Sequence, residues 1–172
     1  MTKTTHVPGH LTVRAARDRY LADNGFSTAG YTASTFTLPV FGRQVELPNP
    51  PARQAAISRH DLHHVLLGYG TDYAGEAEIG AWELRCGCTT PFLYMINLAA
   101  MLGGLVIAPR RVLRAWRRAR GMRTLYRDPI AYAEALELRV VDLRRRLGIP
   151  DEGVVAPASA SEPARDELAA RP

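Results

Sequence analysis

Lysine is almost missing from this chain: Lys3 stands alone among 22 basic residues in a sequence of 172. With the many alanines, that points to genome composition rather than function. Cysteine is nearly as scarce. Cys86 and Cys88 cannot build a disulfide framework, and with one intervening residue they cannot bond each other without strain. A reducing compartment is the expectation. No basic stretch followed by an apolar one opens the chain, so no secretory leader is expected. Acid is absent from residues 110–127, which hold eight arginines, and charge of either sign is absent from residues 86–109.

What is present is ordinary globular material, 47% apolar and 23% charged, which excludes global disorder and collagen-like repeats. The length suits one domain. Net charge is +5, yet without the eight arginines of residues 110–127 only 14 basic residues face 17 acidic ones. A slightly acidic protein thus carries one strongly basic element, suited to phosphates on lipid, nucleic acid or a soluble ligand.

Hydrophobic spacing and stop signals predict an all-α fold: a single multi-helix domain over residues 1–150 and a disordered tail over 151–172, rich in Ala, Pro, Glu and Ser. Residues 1–9 read as frayed. A first helix is expected from about Thr12 to Asn24, with Asn24-Gly25 as its stop. Residues 35–47 alternate (Phe36, Leu38, Val40, then Val45, Leu47) and read as a short extended strap or hairpin, with Pro39 against a central strand. Pro50-Pro51 opens a helix to about Leu67, broken by Gly68-Tyr69-Gly70. Thr71 is the expected N-cap of the next helix, which runs to about Arg85. Further helices are expected at 91–108, from Pro109 to Gly121, and from Asp128-Pro129 to Leu147.

The uncharged helix 91–108 has three readings. A central core helix comes first, a membrane-dipping or lipid-lining helix second, and a true span third, because Gly103-Gly104, Asn97, Thr89 and Thr90 dilute its hydrophobicity. The arginine helix reads either as a solvated basic face or as an interfacial helix on anionic lipid with Trp116 at the headgroups. No recognised DNA-binding motif accompanies it.

The chemistry concentrates in residues 58–76. His60 and His64 are four apart, so on a helix both imidazoles leave one face and can share one ion. Asp61 sits about 100° around and can lean in or orient an imidazole. Glu76 lies one turn into the next helix, after a glycine hinge. Two histidines with one or two carboxylates satisfy a divalent cation and leave positions open for substrate. His63 has no partner at the same spacing and reads as a bystander. Asp72, Glu78 and Glu83 read as further acids that surface positions would explain. Cys-x-Cys without a second pair is a weak zinc signal.

His60-Asp61-x-x-His64, eleven residues, then Glu76 resembles the signature of the coenzyme Q biosynthesis protein 4 family. Gly75-Glu76, Trp82-Glu83 and the long apolar helix extend the likeness over residues 35–147. The resemblance implies a mostly helical fold in which His60, Asp61, His64 and Glu76 ligate a divalent metal, zinc first, with iron, manganese or cobalt as alternatives. It implies ubiquinone biosynthesis: oxidative removal of the C1 carboxylate of a polyprenylated hydroxybenzoate head group, with those four residues as the catalytic set. The implied partners are a prenylated quinone precursor, an anionic membrane surface, other quinone-biosynthesis proteins and a second copy in a homodimer. Nucleic acid is not expected. The implied location is cytoplasmic, at the inner face of the plasma membrane.

Two rival classes carry the same residues. One is a non-catalytic lipid-binding organiser with a structural metal. The other is a His-Asp phosphohydrolase, which usually needs an earlier histidine; only His6 and His10, in the opening stretch, are available.

Overall fold

The computed structural model describes residues 7–40 and 43–155. Within them the chain forms α1 (Val13–Asn24), a hairpin of β1 (Thr35–Val40) and β2 (Arg43–Pro48), α2 (Pro51–Leu67), α3 (Tyr73–Cys86), α4 (Pro91–Ile107), α5 (Pro109–Arg118), α6 (Tyr132–Glu137) and α7 (Val140–Leu147). The all-α expectation holds, with the strap realised as an antiparallel pair running from Thr35 opposite Pro48 to Val40 opposite Arg43. Both strands are edges, which is why Pro39 is tolerated.

Local signals set most boundaries. The Thr12 hydroxyl accepts from the Ala15 amide and Gly25 takes the left-handed conformation that ends α1. Gly68 ends α2 in the same way. Asp72, not Thr71, caps α3 by accepting from the Gly75 amide; the Thr71 hydroxyl instead donates to Asn24 Oδ1. A carboxylate is the better acceptor next to the positive end of the helix. The expected helix from Pro129 to Leu147 is two short ones. At the break, the Leu138 carbonyl accepts from the Val13 amide and the Val140 amide donates to the Leu11 carbonyl. Backbone pairing with Leu11 and Val13, at the start of α1, therefore replaces two intrahelical bonds. The arginine helix ends at Arg118, three residues short of Gly121.

The core joins Val13 and Tyr20 of α1, Leu62, Val65, Leu66 and Leu67 of α2, Ile79 and Trp82 of α3, and Leu143 and Leu147 of α7. Arg144 is buried in it. Its guanidinium donates to the carbonyls of Leu66 at 2.8 Å, Val7 at 3.1 Å, Asp151 at 2.7 Å and, at the limit, Val65 at 3.5 Å. One cation thus satisfies last-turn carbonyls of α2 and ties the segments at Val7 and Asp151 to it. The frayed start is corrected for residues 7–9, since Val7 is buried and the Gly9 carbonyl accepts from the Val141 amide. The tail is corrected for residues 151–155, where Val154 is buried and its amide donates to the Leu67 carbonyl. The remainder of both expectations, residues 1–6 and 156–172, lies outside the described residues.

The central-core reading of the uncharged helix is overturned. α4 packs on α3 and α5, and only Leu93, Asn97 and Gly104 are buried. Phe92, Tyr94, Met95, Ile96, Leu98, Leu102, Val106 and Ile107 are exposed. The contact is close because it is made of small residues. A Cβ on Gly104 would lie 2.1 Å from that of Ala77, so Gly104, one of the two glycines that dilute the hydrophobicity, is a packing residue, whereas Gly103 faces open space. Among the described residues no helix is long and apolar enough to cross a membrane.

Candidate metal centre

α2 and α3 are joined by the short Gly68–Asp72 link, and the first turn of α3 demands glycine where it meets that link. A Cβ on Gly75 would stand 2.0 Å from the Gly70 carbonyl oxygen. Only a residue without one lets the first turn of α3 close on the link and carry Glu76 to the face of α2.

There, three side chains converge. His60 Nε2 lies 3.2 Å from His64 Nε2 and 3.3 Å from Glu76 Oε2, and His64 Nε2 lies 3.4 Å from Glu76 Oε1. A tetrahedral ion with bonds of about 2.0–2.1 Å has donor–donor edges of about 3.3–3.4 Å. The three residues are spaced to meet that requirement, and their ligand atoms form one group.

The tautomers are set from behind. His64 Nδ1 lies 3.1 Å from the Tyr69 carbonyl, which can only accept, so Nδ1 carries the proton and the Nε2 lone pair faces the cluster. His64 also stacks on Tyr20. His60 Nδ1 donates to Glu83 Oε1 at 3.0 Å, which again leaves Nε2 forward. Such outer hydrogen bonds fix the orientation of metal-binding imidazoles.

Glu83 is the hub of this support. Fully buried, its carboxylate also accepts from His63 Nδ1 at 2.7 Å, from the Tyr126 hydroxyl at 3.0 Å and from Asn97 Nδ2 at 2.7 Å. His63 is therefore no bystander and Glu83 no surface acid. The Leu125 amide donates to His63 Nε2, so His63 is a neutral donor, and burial holds its pKa below the ordinary value. Burial opposes the Glu83 charge, but His60 and His63 together hold its carboxyl well below the usual range. The same balance holds Glu76 low, against burial, through His60 and His64. His60 moves the other way. Burial works against its charge, and the Glu83 and Glu76 carboxylates more than offset this, raising its pKa well above the ordinary value. A proton and a divalent cation thus compete for one nitrogen.

Asp61 does not join the group. Its Oδ2 accepts from the Tyr31 hydroxyl at 2.6 Å, and burial raises its pKa. It joins Tyr31, at the end of a short 3-10 turn over Thr28–Tyr31, to α2 beside the histidines. Of the four residues singled out by spacing, three meet and one braces the helix. Of the other acids, Glu78 is buried against Arg111 at 2.6 Å, and Asp72 is the exposed cap of α3. Both cysteines are free and buried. His10 is exposed, and His6 lies outside the described residues.

One side of the cluster opens. A cavity of about 210 Å³ has His60, Glu76 and Glu83 on one wall, Phe92, Leu93, Ile96 and Ala100 of α4 on another, and Arg53 beside them. Arg53 is held with its guanidinium 3.4 Å above the Phe36 ring of the hairpin and donates to Asn49 Oδ1. Leu98, Met101, Leu102 and Leu105 do not line it: Met101 and Leu105 pack on Ala77, Ala81 and Val112, while Leu98 and Leu102 face outward. No protein-family profile, curated protein or solved structure matches this chain.

Proposed function

We propose that this protein is a metal-dependent enzyme of prenylquinone biosynthesis that removes the C1 carboxylate of a polyprenylated hydroxybenzoate, in the manner of the coenzyme Q biosynthesis protein 4 family that its motif resembles. The observation that carries the reading is the His60–His64–Glu76 triangle opening onto a cavity with an apolar wall. Those three residues would hold the ion, zinc first among candidates, with iron, manganese or cobalt compatible with the same donors. When bound, it supplies a positive centre for a carboxylate and an adjacent ring oxygen. The overall change replaces the carboxylate, lost as CO2, by a hydroxyl whose oxygen comes from water, and the two electrons released reduce dioxygen to hydrogen peroxide.

The remaining work falls to the chain. Arg53, at the cavity edge, is a second partner for an anionic head group. Glu83, through His60 Nδ1–H, keeps the imidazole facing inward. The cavity is smaller than the 300–1,000 Å³ or so of a drug-sized site, so it suits the ring and the start of the tail. The rest of a prenyl chain would run over the exposed residues of α4. Conversion of a prenylated hydroxybenzoate, assayed with each metal under air and without oxygen, tests the reading. Glu76→Gln is expected to keep the lipid bound and lose turnover, because the charge at the ion changes while the apolar contacts do not. Tight lipid binding with no turnover on any metal overturns the enzyme and leaves the organiser.

The outer face of α4 supports a membrane-bound setting at the inner face of the plasma membrane. Ile96, Leu102, Val106 and Ile107 are about half exposed or more, and Arg110, Arg114 and Arg117 of the next helix are exposed beside them. Apolar residues flanked by arginines match an anionic lipid interface. Leu102→Glu with Val106→Glu is expected to weaken sedimentation with phosphatidylglycerol vesicles at least about tenfold, since each side chain contributes roughly 1.5–3 kcal/mol when fully buried. A change of oligomeric state with unaltered vesicle binding would assign the face to a second copy of the chain instead.

A further inference from the structure

A second pocket, of about 270 Å³, lies between the α2–α3 link and α5, and its wall includes Tyr69, Glu78, Arg111, Arg114 and Arg118. Tyr69 is 3% exposed. Its hydroxyl is the single buried side-chain polar atom without a hydrogen-bond partner among the described residues. Burial raises the Tyr69 pKa beyond the ordinary phenol range, so the group stays a donor. An unsatisfied buried hydroxyl is costly and calls for a partner.

The charges around it say what kind. Arg111 is paired with Glu78 at 2.6 Å and approaches Asp72 at 3.8 Å. Arg118 donates to the Val154 carbonyl at 2.7 Å, which orients the guanidinium without neutralising it. Arg114 makes no ion pair or side-chain hydrogen bond among the described residues. Two guanidiniums without an ion pair among the described residues thus border one pocket that Tyr69 also lines, and Glu78 is the one acidic side chain among its described lining residues.

We propose that this pocket binds a phosphate dianion, as inorganic phosphate or the terminal group of a phosphomonoester, through Arg114, Arg118 and the Tyr69 hydroxyl. A tetrahedral dianion matches the two unpaired charges and offers enough oxygens for two forked guanidiniums and a phenol at once. The site is separate from the metal centre: the Tyr69 carbonyl faces His64, while Tyr69 lines this pocket together with residues of α5. It does not depend on a bound metal and is tested without one.

The test is titration of the full chain with inorganic phosphate, with sodium chloride and sodium sulfate at matched ionic strength as controls, followed by calorimetry and thermal melting. Saturable binding of one phosphate per chain and a raised melting temperature are expected. Arg114→Gln with Arg118→Gln should weaken binding more than about tenfold. Tyr69→Phe is the sharper variant. It removes a hydroxyl that has no protein partner, so the unliganded protein should be as stable as the wild type or more so, yet bind phosphate at least about fivefold more weakly. Vesicles separate the sources. Preference for phosphatidate over phosphatidylglycerol at equal surface charge, reversed by free phosphate, assigns the phosphate to a lipid headgroup; equal binding to both assigns it to a soluble ligand. Phosphate binding no better than chloride, or unchanged in Tyr69→Phe, overturns the proposal.

Discussion

Replacing both His60 and His64 by alanine is expected to strip the protein of about one divalent ion per chain. Removing an outer hydrogen bond to a ligating histidine typically weakens metal binding about 10–100-fold; removing two of three ligands should exceed that and leave a lone carboxylate. Metal analysis of the purified protein, wild type against the double variant, checks it, and equal content in the two would sink the metal centre. The pH dependence has a definite sign. Glu83 and Glu76 raise the His60 pKa well above its ordinary value, so near neutrality the ion must displace a proton from His60. Affinity is therefore expected to rise with pH through neutrality and beyond, with proton release on binding. Glu76, whose carboxyl lies well below the usual range, stays ionised and does not limit binding. Calorimetry in buffers of different ionisation enthalpy reads the released proton directly.

Glu83→Ala is expected to produce the largest loss of stability of any single change near the site. It removes the one carboxylate that accepts from His60, His63, Tyr126 and Asn97, leaving the Nδ1–H groups of His60 and His63 without an acceptor. Removing one partner of a buried, hydrogen-bonded charge costs about 3–5 kcal/mol, a fall in melting temperature of roughly 6–20 °C for a chain of this size. Glu83→Gln keeps the shape but turns an N–H2 toward donors, so it should fall between alanine and wild type. Because the folded Glu83 carboxyl is held low, the unfolded chain binds more protons in acid, and this contribution is present above the ordinary carboxyl pKa and lost as pH falls below it. The Glu83 variants should therefore show a shallower loss of stability below about pH 4.3. Raised His60 contributes oppositely, with stability present below its ordinary pKa of about 6.5 and lost only as pH rises through its higher folded value. Thermal melts across pH of the metal-free protein separate the two. An unchanged melting temperature in Glu83→Ala would show that the network contributes nothing to the fold.

Much of the site is legible because it is local. The spacing of His60 and His64 follows from the helical period alone, and the Gly68-Tyr69-Gly70 break puts Glu76 in the first turn of an antiparallel neighbour. The hub was not legible as such. Glu83 stands seven residues, two turns, beyond Glu76, and that face relation was visible; that it would be buried was not. The better signal was Asn97, a polar residue inside an uncharged apolar run, where a buried amide needs a buried partner.

Periodicity, caps and glycine stops suffice to place the helices over residues 13–24, 51–67, 73–86 and 91–107 within a few residues, because each depends on neighbours along the chain. They also suffice to pair His60 with His64. Packing decided the rest. It turned Asp61 to Tyr31 and left the outer face of α4 exposed, which composition cannot distinguish from a core helix. It also split the last helix by pairing Leu138 with Val13 and Val140 with Leu11 at the start of α1. Which side of a helix meets water, and which acid a buried histidine finds, depend on contacts between residues distant in sequence, and those exist only once the chain has closed on itself.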